Sequence, residues 1–238
     1  MGRHNYFQFK QFAVVQEKSA MKVGTDGVLL GAWADVSGAC KILDIGTGTG
    51  LIALMAAQRS PAEITGVEID PNAFGEATFN AAQSPWAHRI RLIHLPFQEF
   101  AKHHEAEYDL IITNPPFFEN DKRPPDKSRS AAKHTVTLTY EELLHGIRNI
   151  LSPSGKISVI LPVSQAIRFR KMALLEKIYL SKLTVVKPTP EKTPHRWLME
   201  YRTDKGFPQV TELIIAGKTH HEFTDDYKNL TKDFYLAF

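Results

Sequence analysis

Apolar and polar positions along the 238-residue chain follow two alternating periods. From residue 41 onward, short continuous apolar runs of strand length alternate with longer segments whose apolar residues recur at helical spacing. The runs KILDIG (41–46), EITGVEID (63–70), IRLIHL (90–95), YDLIITN (108–114) and KISVILP (156–162) are predicted strands. The helices predicted between them are LIALMAAQR (51–59), 71–83 and TYEELLHGIRNIL (139–151), with a basic helix over 165–177 after the fifth strand. Uninterrupted apolar strands are covered on both faces, and a strand followed by a helix returns parallel to the same sheet. LSKLTVVKP (180–188) and HRWLMEYRT (195–203) follow without a long helix between them, so this last pair is expected to be antiparallel. The expectation is an α/β fold, a doubly wound Rossmann-like sheet, mostly parallel with one antiparallel strand near the C-terminus. Residues 5–15 (NYFQFKQFAVV) read as extended or a hairpin, 24–35 as helical, and 207–238 as a late strand near 209–216 with a short helix near 224–234. A single domain over 1–238 accommodates all of this, with 1–36 and 207–238 as additions at its two ends.

Composition changes this picture little. Apolar residues make up 43% of the chain, enough for a large core, and no apolar run approaches the roughly 20 residues needed to span a bilayer. The first ten residues lack the apolar stretch of a secretion signal, and the single cysteine, Cys40, excludes an internal disulfide. A cytoplasmic protein is expected. A monomer is favoured. The net charge of +3 says little about partners until its distribution is considered. Ten histidines are present, but the adjacent pairs His103-His104 and His220-His221 lack metal-ligand spacing, so no metal is expected.

Chemistry enters at LDIGTGTG (43–50), between a strand and a helix. Gly46, Gly48 and Gly50 allow a sharp bend and close approach of backbone to a ligand, with Thr47 inside the turn. Asp44 precedes the turn and could meet a cationic ligand or orient the loop; the bland reading is a helix cap. Glu68, 22 residues after Gly46 and followed by Ile69, is placed to accept the ribose hydroxyls of an adenosine. That much serves a nicotinamide or an S-adenosylmethionine enzyme equally.

The next motif separates them. Asn114-Pro115-Pro116-Phe117 ends the fourth strand. The prolines remove two donors and fix φ, leaving the Asn114 side-chain carbonyl and a neighbouring backbone carbonyl as rigid acceptors. Two acceptors suit an exocyclic amino group with two N–H donors, and drawing those hydrogens out of the ring plane localises the nitrogen lone pair toward an incoming methyl. Phe117 offers a face for stacking a planar substrate, worth roughly 1–3 kcal/mol in nucleic-acid complexes.

LDIGTGTG, VEID and NPPF in this order resemble class I amino-methyltransferases, which act on adenine or on glutamine side chains. MKVGTDGVLLGAWA (21–34), QSPWAHRI (83–90), LIITNPPFF (110–118), TPHRWLM (193–199) and FYLAF (234–238) are similar to the bacterial tRNA1(Val) adenine N6-methyltransferases, and the likeness runs along essentially the whole chain. The resemblance implies S-adenosylmethionine as cofactor and the adenine 3′ of the anticodon as target. It places Thr25 and Asp26 on a segment closing over the methionine end of the cofactor. Where such enzymes often carry an acid that contacts the cofactor's adenine, this chain has Pro96, so Phe97, Gln98 or backbone amides must take that role. Lys122, Arg123, Lys127, Arg129 and Lys133 follow the NPPF motif and, with His195 and Arg196, are expected at RNA phosphates; Arg168, Arg170, Lys171, Lys187 and Lys192 extend the basic set. A protein glutamine methyltransferase, a DNA adenine methyltransferase and a non-catalytic RNA-binding protein remain as rival readings.

Overall fold

The computed structural model describes residues 5–103, 107–115, 138–217 and 222–238. Among the described residues its main sheet has eight strands: β3 (Lys41–Ile45), β4 (Glu63–Glu68), β5 (Ile90–His94), β6 (Tyr108–Thr113), β7 (Leu151–Pro162), β8 (Tyr179–Lys187), β9 (Arg196–Arg202) and β10 (Gln209–Ile214). They lie in the order β10-β8-β9-β7-β6-β3-β4-β5. Only β9 runs against its neighbours, antiparallel to both β7 and β8. The chain builds outward from β3 through β4 to β5, then crosses to β6 on the other side of β3. That reversal opens a crevice between the carboxyl ends of β3 and β6, where open α/β sheets bind ligands.

Alternation along the strands assigns the two faces of the sheet. Ile42 of β3 and Leu110 and Ile112 of β6 face helices α1 (Thr25–Trp33) and α2 (Leu51–Arg59), together with α7 (Asp225–Thr231). Leu43, Ile45 and Ile111 face α4 (Phe97–Ala101), α5 (Tyr140–Ile150) and α6 (Val163–Leu175) on the other side. Helix α3 (Pro71–Ala82) connects β4 to β5, with Pro71 at its first turn and the Asp70 carboxylate accepting from the Ala73 N–H as its cap.

Two details depart from the pattern-based expectation. Helix α4 was not predicted: five residues are too few to show a period, and only burial of Phe97, Phe100 and Ala101 at i, i+3 and i+4 defines it. Strand β7 begins at Leu151, not 156, because Leu151 pairs with Tyr108 before the register shifts to Leu110 opposite Lys156.

Helix α1 is apolar nearly all round, with Gly27 to Ala32 buried. It lies close against α2, where a Cβ on Gly31 would come within 2.6 Å of Met55 Sδ. The Arg59 guanidinium donates to the Gly31 and Ala34 carbonyls, satisfying the C-terminal end of α1. The hairpin of β1 (Tyr6–Gln8) and β2 (Ala13–Val15) packs on the C-terminal residues, with Phe9 stacked on Phe12 at 4.7 Å and on Tyr235 at 6.0 Å. The long N-terminal and C-terminal additions thus close on each other, and both support α1.

Candidate cofactor and target site

The glycine turn leaves β3 with positive φ at Gly46 (68°), Gly48 (59°) and Gly50 (83°), a backbone path that a side chain would strain. A Cβ on Gly46 or Gly48 would meet nothing within 4 Å, so the turn borders open space. Two carboxylates hold it. Asp44 Oδ2 accepts from the Thr47 hydroxyl at 2.6 Å and from the Ala53 N–H at 3.1 Å, tying the strand to the turn and to α2. Asp44 Oδ1 is buried without a hydrogen-bond partner among the described residues. Burial pushes the Asp44 carboxyl up to about 7, against the opposing pull of those two hydrogen bonds. Glu68 closes the far side: Oε2 accepts from the Gly48 N–H, and Oε1 from the Ile69 and Asp70 N–H groups, each at 2.8 Å.

Because Ile45 pairs with Thr113, Gly46 and Asn114 leave adjacent parallel strands at the same level. Both line a cavity of about 490 Å³ at the carboxyl edge of the sheet. Asn114 Oδ1 is a buried acceptor with no partner among the described residues. Such an atom costs about 1–3 kcal/mol unless something donates to it, so its position in the cavity wall points to a ligand donor. The opposite wall comes from the N-terminal end of α1, including Thr25 and Asp26. Asp26 Oδ2 is 2.8 Å from Arg196 Nε, joining α1 to the start of β9.

The sequence-predicted residues divide accordingly. Thr25, Asp26, Gly46, Thr47, Gly48, Asn114, His195 and Arg196 meet in this one cavity. Asp44 and Glu68 brace the glycine turn by hydrogen bonds, Gly50 ends it at positive φ, and Ile69 is exposed beside Glu68. Phe97 is placed differently from the expectation of a stacking ring. It is 5% exposed, under α5, where Gly146 would clash with it if it carried a Cβ, so its faces are taken by the core. Gln98 lies at hydrogen-bonding range, 3.5 Å, from Glu142 on α5. Lys187 pairs with Glu212, whereas Arg170, Lys171 and Lys192 are exposed. Pro115 is buried, and Pro116, Phe117, Lys122, Arg123, Lys127, Arg129 and Lys133 lie outside the described residues.

Sequence reasoning missed the cavity wall formed by Val186, Pro188 and Ile215. The available signal was position: these residues end or follow β8 and β10, strands parallel to β3 whose carboxyl ends face the same edge. It also missed Asn80, whose amide bridges the Val15 backbone to the Thr49 carbonyl and so braces the glycine turn against the hairpin. Among the described residues no group of three or more His, Cys, Asp or Glu side chains could hold a metal ion, and no helix is long and apolar enough to cross a membrane.

The methyltransferase small domain family matches residues 23–187, from the cavity-lining segment before α1 to the end of β8. A tRNA1(Val) (adenine(37)-N6)-methyltransferase from Trichodesmium erythraeum is 46% identical, over 98% of this chain and 99% of its own. Its counterpart from Bacteroides fragilis is 42% identical, over 97% and 98% respectively. The chain belongs to the tRNA1(Val) (adenine(37)-N6)-methyltransferase family. In this family member, cover of nearly the whole length includes the hairpin and the C-terminal addition, which extend beyond the matched small domain. Among solved structures, a predicted O-methyltransferase from Agrobacterium tumefaciens superposes with a TM-score of 0.67 at 19% identity, covering 88% of this chain and 96% of its own. At that identity the likeness speaks for a methyltransferase fold alone.

Proposed function

We propose that this family member transfers the methyl group of S-adenosylmethionine to the N6 amino group of the adenine at position 37 of tRNA1(Val). The observation that carries the reading is the buried Asn114 Oδ1, without a hydrogen-bond partner among the described residues, in the wall of a cavity shared with the glycine turn. The residues present suit the cofactor. The turn is open where Cβ atoms of Gly46 and Gly48 would be, and Glu68, with three backbone donors on a carboxylate that has about four acceptor sites, keeps capacity for a ribose hydroxyl. Ile69 offers exposed apolar surface beside it for the adenine ring. When bound, S-adenosylmethionine supplies a methyl group already activated by its sulfonium.

The work left to the protein is orientation. Asn114 Oδ1 accepts one N6 hydrogen of the target adenine and, with the adjoining backbone, holds the nitrogen lone pair toward the methyl. No base is needed before attack, because the amino proton becomes acidic only as the N–C bond forms; it then leaves to solvent. Asp44 acts on the turn, not on the substrate: its carboxylate fixes Thr47 and the first turn of α2, and so the height at which the turn meets its ligand. Catalysis of this kind rests on positioning and electrostatics. Phe117 stacks the extruded base, and Lys122, Arg123, Lys127, Arg129 and Lys133 hold RNA phosphates, with His195 at the exposed rim of the cavity; loop bases are extruded at low cost.

Incubation of the purified protein with labelled S-adenosylmethionine and total tRNA, followed by digestion to nucleosides, tests the reading. Labelled N6-methyladenosine is expected. Its absence from a folded, cofactor-binding sample contradicts the proposal, and label on protein points to a glutamine acceptor.

A further inference from the structure

Asp26 and Arg196 are 170 residues apart in sequence yet form an ion pair at 2.8 Å in the cavity wall. Asp26 stands in the first turn of α1, which is fastened to α2 and thereby to the exit of the glycine turn; a Cβ on Gly27 would lie 3.0 Å from Leu51 Cδ2. Arg196 opens β9, and its Nη1 also donates to the His195 carbonyl at 3.0 Å. The pair therefore bridges the N-terminal end of α1 to the start of β9, next to His195. Its side chains are 22% and 30% exposed, dry enough for the charges to feel each other and open enough for ligands to compete.

Each partner is also the right charge for one of the two ligands of the proposed reaction. The amino-acid end of the cofactor carries an ammonium, and the target nucleotide carries phosphates, for which arginine is well suited. Resting on the functional reading above, we infer that Asp26 and Arg196 are positioning residues that exchange partners on assembly. Arg196 passes from the Asp26 carboxylate to a phosphate of the target nucleotide, and Asp26 passes to the cofactor ammonium. One internal pair becomes two ligand pairs, and charge is conserved. By linkage, RNA then tightens cofactor binding, and the cofactor tightens RNA binding by the same factor.

The test is calorimetric titration of the full chain with S-adenosylhomocysteine, which keeps the ammonium and cannot react. The titration is run with and without an anticodon stem-loop of tRNA1(Val), and again with 5′-methylthioadenosine, which lacks the amino-acid end. RNA is expected to tighten S-adenosylhomocysteine binding by about tenfold and to leave methylthioadenosine binding unchanged. Arg196→Ala is expected to bind S-adenosylhomocysteine more tightly than wild type without RNA and to lose the RNA response. Asp26→Asn is expected to bind it weakly in both conditions. Equal tightening of both ligands in the wild-type protein, no tightening of either, or an RNA response that survives in Arg196→Ala overturns the inference. The comparison of two ligands on wild-type protein decides even if a variant does not fold. Failure of S-adenosylhomocysteine to bind wild-type protein at all overturns the cofactor reading instead.

Discussion

At the scale of single residues, the proposed function gives Asn114 and Asp44 different duties, which predict different failures. On the proposed function, Asn114→Ala removes a preorganised acceptor for the target amino group, so turnover is expected to fall by roughly 10²–10³-fold while S-adenosylhomocysteine affinity is unchanged. Parallel kinetics and calorimetry check this; equal loss of both would make Asn114 structural. Asp44 is read from stability. Its folded pKa is raised to about 7 by burial, so its contribution is fully present below the ordinary carboxylate range near about 4 and is lost as pH rises through 7. Melting curves of ligand-free protein should show wild type losing stability relative to Asp44→Asn across that window and holding level above it. Both residues were singled out from motif position alone. Arg196 shows where that kind of reading stops. The sequence marks it as a surface cation beside His195, but its ion-pair contact with Asp26 spans 170 residues and no local pattern reveals it. Phe97 is similar: a phenylalanine just past a strand end is equally suited to a ligand or the core, and burial in the unpredicted helix α4 decides for the core.

Elements are positioned by a few close contacts. α1 reaches the cavity because it lies tightly on α2 at Gly31, so Gly31→Val is expected to cost about 1–3 kcal/mol through overpacking against Met55, measured by urea unfolding. The start of α5 is set by a capping box in which the Thr139 hydroxyl accepts from the Glu142 N–H and the Glu142 carboxylate accepts from the Thr139 N–H. Thr139→Ala should therefore lower stability by about 1 kcal/mol. Strand and helix order was legible because buried parallel strands and their crossover helices differ so plainly in period and length. The reversed β9 was also legible, from the missing helix before it. The early start of β7 was not, because it depends on Leu151 pairing with Tyr108, while Ser152, Pro153 and Ser154 lie unpaired with β6 between that pair and Lys156 opposite Leu110.

For the whole molecule, the two ends of the chain form one support. Lys10 N donates to the Phe234 carbonyl, and Phe234, 1% exposed, packs with Phe9, Phe12 and the outer side of α1 and α2. Phe234→Ala is expected to cost about 3–5 kcal/mol and to speed hydrogen exchange in the β1–β2 hairpin. The terminal motif was recognisable by resemblance, whereas its role as a clasp required the fold. Chemistry was legible up to an activated methyl and a planar amino acceptor; the identity of the acceptor base depends on the family, whose members from Trichodesmium erythraeum and Bacteroides fragilis are named for adenine 37 of tRNA1(Val). The decisive measurement is methyl transfer from labelled S-adenosylmethionine to tRNA1(Val) transcripts carrying either adenine or guanine at position 37. Label confined to the adenine transcript and recovered as N6-methyladenosine at that position is the predicted result; equal labelling of both transcripts, or none of either by folded, cofactor-binding protein, would contradict it.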